Sequence, residues 1–416
     1  MESESVSGRH KWTHICDVEG RIGHTASAIN DSMIIWGGYR DDTETLSEKY
    51  LPSKTVQIYH ADLQFWIEHE TTGFIPVGTS GACSCVIDNK MYVFAGHTLD
   101  GNVDSLLYLD LNTMHWTNLT PTVDITGGVE DSILWPSPRD KFTMWTFNYK
   151  IYCFGGFGPK VGQHLISSLP SGFVPGDENG TSFRGWNNHL MVYDTVTNTW
   201  SSPLCKGTPP CARAAHAAIR VRGQAYIFGG RHKNQRLNDL HCLDLVKMEW
   251  SGELYVEGAS PCGRSWHTFT AVSDTQAFLY GGYSNAREPL GDAWQLHIAS
   301  RQWSQLTVDL NSPRLWHTCC CVGDRELLVF GGCANDILNY QERNITPKEI
   351  LHFRLQPAKL QKLCLEKTFL EKDWTSEQWD LLPPILRKWL KQKMEICAQQ
   401  QMCLKNSEHG ISCVIA

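Results

Sequence analysis

A cluster of basic side chains directly follows one strand-like segment of the chain. The run FGGRHKNQR, residues 228–236, places Arg231, His232, Lys233 and Arg236 in one short stretch. The chain as a whole is acidic, with a formal net charge of −7. Guanidinium and ammonium groups gathered in one loop bind carboxylates or phosphates through charge-assisted hydrogen bonds. The stretch therefore predicts a site for an anion.

This stretch belongs to one copy of a repeated pattern. An apolar run that ends in an aromatic residue and two small residues occurs at 33–38, 91–96, 151–156, 225–230, 277–282 and 327–332. Most copies are followed by a second segment with a tryptophan, namely Trp66, Trp116, Trp200, Trp250 and Trp303. Repeats of about 50 residues with glycine pairs are typical of kelch-type propellers. The sequence predicts an all-β, six-bladed kelch β-propeller over residues 10–356 and a helical segment after it.

The two ends of the repeat region predict how the ring closes. The sixth copy lacks the segment with the expected tryptophan, and the N-terminal stretch HKWTHIC supplies Trp12. Pairing this stretch into the sixth blade would leave no free sheet edge at the seam. We therefore predict that the N-terminal strand completes the last blade.

Residues found in a single copy are candidates for binding, whereas residues shared by several copies are candidates for packing. Four histidines share one phase of the repeat (His24, His216, His267 and His317), which favours shared strand-capping hydrogen bonds, and we expect no metal site. Arginine follows the glycine pair in a single copy, at Arg231. Other copy-specific residues on the same rim are Lys141, Arg184, Trp186, Ser265, Trp266 and Trp316. A long insertion from Phe157 to about Arg184 is typical of a binding loop.

From the residues alone, Arg231 and Arg236 have two interpretations. They could form surface ion pairs with Asp239 and Asp244, which are common and weak. They could instead hold a ligand carboxylate, because two guanidinium groups and the hydroxyl of Ser265 would satisfy its lone pairs. The tryptophans on neighbouring loops favour the ligand.

Composition limits the class of protein. With 416 residues, 42% of them hydrophobic and 19% charged, the chain is globular by composition. We find no apolar run long enough for a membrane helix and no apolar signal-peptide core, and we expect an intracellular protein. The 16 cysteines are scattered without a CxxC pair, as expected for reduced, buried thiols.

Longer motifs carry a family resemblance. These motifs are SPRDK, FRGWNNH, FGGRHKNQRLNDLH, GRSWHT, PRLWHT and FGGCAN. With them the chain resembles the kelch domain-containing protein 1 and 2 family, whose members are substrate receptors of cullin-2 ubiquitin ligases. Those receptors capture protein C-termini, preferentially ones that end in two glycines. The resemblance implies a non-catalytic receptor without cofactors, with Elongin B, Elongin C, cullin-2 and a RING-box protein as partners and no nucleic acid.

The resemblance also implies roles for individual residues. Arg231, Arg236 and Ser265 would hold the terminal carboxylate of the tail. The surrounding pocket would be formed by Tyr39, Lys141, Phe157, Arg184, Trp186, Trp266 and Trp316. Arg184 and Lys141 would contact the tail further back, and Tyr39, Trp186 and Trp266 would be aromatic walls. Phe157 stands where the family has a tyrosine, so one hydroxyl contact should be missing.

Beyond residue 356 the strand pattern gives way to helical spacing. Apolar positions recur at Leu360, Leu363, Cys364 and Phe369, and again at Ile385, Leu386, Trp389, Leu390 and Met394. Both stripes could pack on the propeller, and that alternative stays open. By resemblance, Leu360 and Cys364 match an Elongin box, whereas Leu382, Pro383 and Ile385 match a cullin box within residues 357–400.

The last four residues, Cys413 to Ala416, fit a prenylation signal. We expect a flexible tail over 401–416, and prenylation at Cys413 would add a lipid-dependent membrane contact to a location in the nucleus, the cytosol or both.

Other functions have less support. The Ser-x-Asp boxes of sialidases and a GxxxxGK phosphate loop are absent from the sequence. The alternative that remains is a kelch scaffold, a protein-interaction module without ligase function.

Overall fold

The structure is a computed structural model that describes residues 14–15, 18–42, 44, 47–121, 134–160, 172–177, 179–308, 312–356 and 359–408. Side chains are described within these ranges from residue 18 to residue 398. The described strands form six main sheets in chain order, which we call blades 1 to 6. None of the described helices is long and apolar enough to cross a membrane.

The strands of each blade are given from the propeller axis outwards. Blade 1 contains Thr25–Ile29, Ser32–Trp36, Thr55–His60, Phe65–Glu70 and His14–Ile15. Blade 2 contains Cys83–Ile87, Lys90–Thr98, Gly101–Asp110, His115–Asn118 and Thr72–Gly73. Blade 3 contains Thr143–Phe147, Lys150–Phe154, Leu190–Asp194 and Thr199–Ser201.

The second half of the ring follows the same order. Blade 4 contains Ala217–Val221, Gln224–His232, Gln235–Asp244, Glu249–Glu253 and Lys206–Thr208. Blade 5 contains Arg264–Ser265 with Thr268–Ala271, then Gln276–Ser284, Pro289–His297 and Gln302–Leu306. Blade 6 contains Thr318–Val322, Glu326–Phe330 and Leu351–Arg354.

Two small sheets lie outside the blades. One joins Phe157–Pro159, Arg184–Asn187 and Phe173–Pro175, so the predicted insertion of blade 3 contains strands of its own. The other pairs Tyr39–Asp41 with Glu48–Tyr50. Both follow the glycine pair of their blade, at the rim where the candidate residues were predicted.

Each gap between neighbouring blades is filled by one apolar cluster. Trp116 of blade 2 is 1% exposed and packs against Trp36 of blade 1, with ring centroids 5.4 Å apart. A cluster that includes Met33 and Phe330 fills the gap between blades 6 and 1 in the same way. The repeated tryptophans are therefore packing residues between blades, and the predicted six-bladed propeller is confirmed.

A ring of main-chain hydrogen bonds surrounds the axis. One residue per blade donates its N–H to the carbonyl of the equivalent residue of the preceding blade, over 2.7 to 3.1 Å. All six have left-handed backbones, with φ between 54° and 66°. In order they are Gly23, Gly81, Lys141, Ala215, Trp266 and Trp316, and Gly23 closes the ring onto Trp316. The bonds return to their start after six blades, so the main chain itself closes the propeller.

Three of the repeated histidines form hydrogen bonds between neighbouring blades. His216 bonds Thr143 of the preceding blade through Nε2 at 2.9 Å, and His317 bonds Thr268 at the same distance. His24 bonds Thr318 at 2.7 Å across the seam between blades 6 and 1. Burial lowers the pKa of all four histidines, so these rings are neutral near pH 7.

His267 is the exception in this set. Blade 4 has Ala217 at the threonine position, so the Nε2 of His267 lacks the hydroxyl partner that the other three histidines have. A buried polar group without a partner costs folding free energy.

The N-terminal strand does not take its predicted place. His14–Ile15 pairs antiparallel with Phe65–Glu70, at the outer edge of blade 1. Blade 6 keeps three strands in the part of the chain that is described, and Trp12 lies outside that part. The prediction that this strand completes blade 6 is therefore wrong for His14–Ile15, because the outer strand of blade 1 provides their pairing partner.

The C-terminal segment is helical, as predicted. Its helices are Leu360–Leu370, Lys372–Thr375, the 3₁₀ helix Ser376–Leu381 and Pro384–Glu408. The last helix continues to Glu408, which corrects the tail predicted to start at residue 401. Its Ile396 packs on Phe65 and Ile67 of blade 1, so part of this segment lies against the propeller.

Lys362 fastens the first C-terminal helix across the seam of the ring. Its Nζ lies 3.0 Å from Asp62 of blade 1 and 2.9 Å from Glu326 of blade 6. Glu326 is 3% exposed and also accepts hydrogen bonds from His352 and Arg354. Burial alone would raise the pKa of Glu326, but hydrogen bonds from His352 and Lys362 lower it to about 2. We call Lys362, Asp62 and Glu326 the seam clasp.

Replacing Ala217 by threonine should stabilise the propeller. The new hydroxyl would meet the Nε2 of His267 as Thr143 meets His216, and it should add about 1 kcal/mol to the free energy of unfolding. Denaturant titration measures the change. Ala217→Val fills the same volume without a hydroxyl, so an equal gain from valine would show that packing, and not the hydrogen bond, is responsible.

Lys362→Met should loosen the seam clasp. The change leaves Glu326 with one donor fewer in a buried place, and we expect a loss of about 1–3 kcal/mol in the free energy of unfolding. Lys359→Met is the matched control, since the Lys359–Asp324 pair is exposed and should contribute less than about 1 kcal/mol. Equal losses for the two variants would contradict the clasp.

The clasp also has a defined pH dependence. Because the pKa of Glu326 lies at about 2 in the folded protein and 4.5 ordinarily, its stabilisation is complete above 4.5 and disappears as the pH falls towards 2. The difference between wild type and Lys362→Met should shrink over that interval. A difference that stays constant across it would show that the Glu326 carboxylate is not involved.

Candidate functional site

A pocket of about 510 Å³ opens above the axis, at the end of the blades where the glycine pairs lie. Six of the predicted residues line it, namely Tyr39, Lys141, Phe157, Arg184, Trp266 and Trp316. They come from four different blades, so only ring closure brings them together.

The floor of the pocket is built on the main-chain ring. Trp266 and Trp316 stack with centroids 5.5 Å apart, and the Nζ of Lys141 lies 4.9 Å from the centroid of the Trp316 ring. A Cβ atom on Gly23 would lie 3.0 Å from the Trp316 indole. Glycine there gives Trp316 room to cover the axis. The three side chains also line an axial channel of about 220 Å³, which they separate from the pocket.

Arg231 and Arg236 are not among the residues that line this pocket, and they form a cationic pair that is connected to its floor through Ser265, the residue before Trp266. They face each other across the hairpin that follows the glycine pair of blade 4. Arg236 is 7% exposed and donates its Nε to the Oγ of Ser265 at 3.2 Å. Arg231 is half-buried and donates its Nε to the carbonyl of Lys233 at 2.7 Å. The three residues predicted to bind a carboxylate therefore lie together.

The ion-pair alternative for these arginines is wrong. Both oxygens of Asp239 accept hydrogen bonds from Arg213, each at 2.7 Å, and Asp244 lies 3.6 Å from Lys247. Within the described ranges, no carboxylate pairs with the guanidinium of Arg231 or Arg236. Burial and the neighbouring Arg231 both lower the pKa of Arg236. Two neighbouring cations without a directly paired carboxylate favour the binding of an anion.

Trp186 and Phe157 were both predicted to line the pocket, and of the two only Phe157 does. Trp186 is buried and packs edge-on behind Phe157, with centroids 5.3 Å apart. It therefore supports the wall from behind and does not line the pocket, because Phe157 lies in front of it. The Cζ of Arg184 lies 5.4 Å from the centroid of the Phe157 ring. The Nη2 of Arg184 donates a hydrogen bond to Oδ1 of Asn102 at 2.7 Å.

The loop between the second and third strands of blade 6 also contributes to the pocket, and the sequence did not predict this. Ile337, Leu338 and Tyr340 line the pocket from the loop between Phe330 and Leu351. The length of this loop was the available signal, since the long insertion of blade 3 was identified in that way. Ile337 and Leu338 give this side of the pocket an apolar surface.

Glu48, Ser80 and His97 line one wall of the pocket with polar groups. The hydroxyl of Tyr50 lies 3.2 Å from Nδ1 of His97 and 3.3 Å from the hydroxyl of Ser80. Burial raises the pKa of Glu48 at the same wall and lowers that of His97. Lys141 contacts Asp140 at 2.5 Å. These groups can donate hydrogen bonds to the main chain of an extended peptide or accept hydrogen bonds from it.

A second candidate surface lies on the C-terminal helices. Leu360 is 76% exposed and Cys364 is exposed as well, so the predicted Elongin-box residues face solvent. Pro383 and Ile385 of the predicted cullin box are exposed, whereas Leu382 is half-buried against the core of the helical segment. The predicted prenylation site, Cys413, lies outside the described residues.

Comparisons with known proteins agree with this architecture. A family model described as the KLHDC2/KLHL20/DRC7 Kelch-repeats domain matches residues 23–169 and 174–338. Kelch domain-containing protein 2 of Bos taurus is 36% identical over 388 residues, which cover 91% of both chains. Kelch domain-containing protein 1 of Homo sapiens is 35% identical over 385 residues, 92% of both. Kelch domain-containing protein 3 of Homo sapiens is 28% identical over 283 residues, 66% of this chain and 65% of the relative.

Proposed function

We propose that this chain, which belongs to the kelch domain-containing protein 1 and 2 family, is the substrate-recognition subunit of a cullin-2 RING ubiquitin ligase. In this role it binds protein C-termini that end in glycine, preferentially in two glycines, and directs those proteins to ubiquitination and degradation. The family relationship by itself establishes a kelch-repeat protein of the interaction type, not a catalytic one.

The pair of Arg231 and Arg236, which has no directly paired carboxylate in the described part of the chain, is the observation that carries this proposal. A terminal carboxylate is planar and accepts hydrogen bonds from two guanidinium groups at once. Ser265 is 1% exposed and already fixes Arg236 through its hydroxyl, so this part of the site is formed before a ligand binds. Pre-organised donors of this kind raise affinity because less conformational entropy is lost on binding.

A terminal glycine fits the surroundings of the arginine pair. Ser265 and Trp266 are consecutive, so the carboxylate would bind where the stacked indoles of Trp266 and Trp316 form the floor. Glycine lacks a Cβ atom and adopts backbone torsions that other residues avoid. It can therefore bring its carboxylate close to a bulky floor. Phe157 presents no hydroxyl, so its own contact with the tail would be apolar, whereas Arg184 beside it can donate hydrogen bonds.

The exposed face of the first C-terminal helix supports the ligase part of the proposal. Leu360 and Leu363 face solvent, while Lys362 on the same helix is held in the seam clasp. A helix fixed on one side and apolar on the other presents anchors for a partner. We propose that Elongin C, with Elongin B, binds this face, and that cullin-2 with its RING-box protein contacts the segment around Leu382, Pro383 and Ile385.

An intracellular location, in the nucleus or the cytosol, belongs to the same proposal. Prenylation of Cys413 stays a prediction.

Peptide binding tests the arginine pair directly. A peptide that ends in Gly-Gly should bind, and either its C-terminal amide or the same peptide extended by one alanine should bind much more weakly. Arg231→Ala and Arg236→Ala should each cost about 2–5 kcal/mol of binding free energy, measured by calorimetry. Arg222→Ala is a control, because Arg222 is exposed and its ion pair is with the exposed Asp274. Equal affinity for acid and amide would refute the carboxylate site.

Co-purification tests the ligase surface. Leu360→Asp should abolish retention of Elongin B and C, because it places a charge at the apolar anchor, and should leave peptide affinity unchanged. Leu370→Asp is the matched control, since Leu370 is 75% exposed on the same helix but lies outside the box. If wild-type protein binds the peptide but retains no Elongin, the kelch scaffold without ligase function is the better description.

A further inference from the structure

The guanidinium of Arg236 rests on a buried tyrosine. Its Cζ lies 4.5 Å from the ring centroid of Tyr283, which is fully buried. Tyr283 is also the cross-strand partner of Ser265, whose hydroxyl accepts from Arg236. Two contacts from blade 5 therefore determine where the Arg236 charge lies.

The hydroxyl of Tyr283 donates a hydrogen bond to a carboxylate of the next blade. The acceptor is Oδ1 of Asp336, in the pocket loop of blade 6. The other oxygen of Asp336 lies 3.4 Å from Arg287, a side chain that is 60% exposed. The far end of the same loop is held separately, because Asn344 donates to Asp41 through its main-chain N–H at 2.6 Å and its Nδ2 at 2.8 Å.

This arrangement has an electrostatic consequence for Arg236. A phenol that donates to a carboxylate becomes more electron-rich, and such a ring attracts a cation above its face more strongly. The negative charge of Asp336 also offsets the repulsion among Arg231, Arg236 and Arg287. In agreement, burial, Arg231 and Arg287 lower the pKa of Arg236, whereas Tyr283 and Asp336 oppose that shift.

We infer that Tyr283 and Asp336 are a positioning pair for Arg236, which holds its guanidinium ready for the terminal carboxylate of a bound tail. This inference rests on the proposed carboxylate site and adds residues that do not themselves touch the ligand. It predicts that discrimination between a free and a blocked C-terminus depends on a hydrogen bond behind the binding surface.

The test compares a peptide ending in Gly-Gly as the free acid and as the C-terminal amide, on full-length wild type, Tyr283→Phe and Asp336→Asn. Tyr283→Phe keeps the ring under Arg236 and removes only the hydroxyl. Each variant should bind the free acid about five- to tenfold more weakly. Affinity for the amide should stay at the wild-type value, since the amide does not engage the arginine pair as an anion. The ratio of the two affinities should therefore fall.

Asp41→Asn is the matched control, because it weakens the other end of the same loop without contacting Arg236. It should leave the acid-to-amide ratio at the wild-type value. If Asp41→Asn lowers the ratio as much as Asp336→Asn does, the loop and not Arg236 is being positioned, and the inference is overturned. Parallel weakening of acid and amide, or unchanged ratios in Tyr283→Phe and Asp336→Asn, would overturn it as well.

If the proposed function itself is wrong, the same experiment gives a different result. Wild-type protein that does not distinguish acid from amide would refute the carboxylate site itself, and the positioning pair with it. Wild-type discrimination combined with unaltered ratios in both variants refutes the positioning pair alone. Circular dichroism and melting curves of every variant show whether the fold is retained, so that affinities are compared only between folded proteins.

Discussion

Six main-chain hydrogen bonds around the axis are the constraint on which the candidate site depends. Each bond requires a left-handed residue, and Lys141, Ala215, Trp266 and Trp316 adopt this conformation without being glycine. Such backbones cost on the order of 1–3 kcal/mol each and persist only where their surroundings enforce them. Here the closed ring of hydrogen bonds holds these residues in the left-handed conformation. It also directs Lys141 and the two indoles to one point, where they form the floor of the pocket.

Buried arginines serve two different purposes in this fold. Arg213 and Arg264 are fully buried, and each binds both oxygens of an aspartate from its own blade at 2.7 to 2.8 Å. Their charges are compensated, and they hold the structure together. Arg236 is nearly as buried but rests on an aromatic ring and a hydroxyl. Arg139 is 1% exposed and also has no carboxylate partner among the described residues, but it donates to Ser137, Gly155 and Asn187. In the same part of the chain the guanidinium of Arg236 donates to Ser265 alone, which leaves donors for a ligand.

The two candidate surfaces lie at opposite ends of the blades. The pocket is at the end with the glycine pairs, whereas Asp62 and Asp324 are in turns at the other end, where the first C-terminal helix is attached. Because the seam clasp joins that helix to blades 1 and 6, the propeller and the helix hold a defined orientation. A receptor of the proposed kind needs such rigidity, since a bound substrate must be held at a constant position relative to the ligase.

Six blades could be predicted from the repeat alone, because strands, glycine pairs and inter-blade tryptophans recur with a local period. The repeat also singled out Arg231, since one copy departs from the other five. The partners across blades could not be predicted in this way. Lys362 and Asp62 are 300 positions apart, Trp186 lies behind Phe157, and His14–Ile15 pairs with blade 1 instead of blade 6. These contacts depend on which surfaces meet when the ring closes, and a pattern that repeats within each blade carries no information about that.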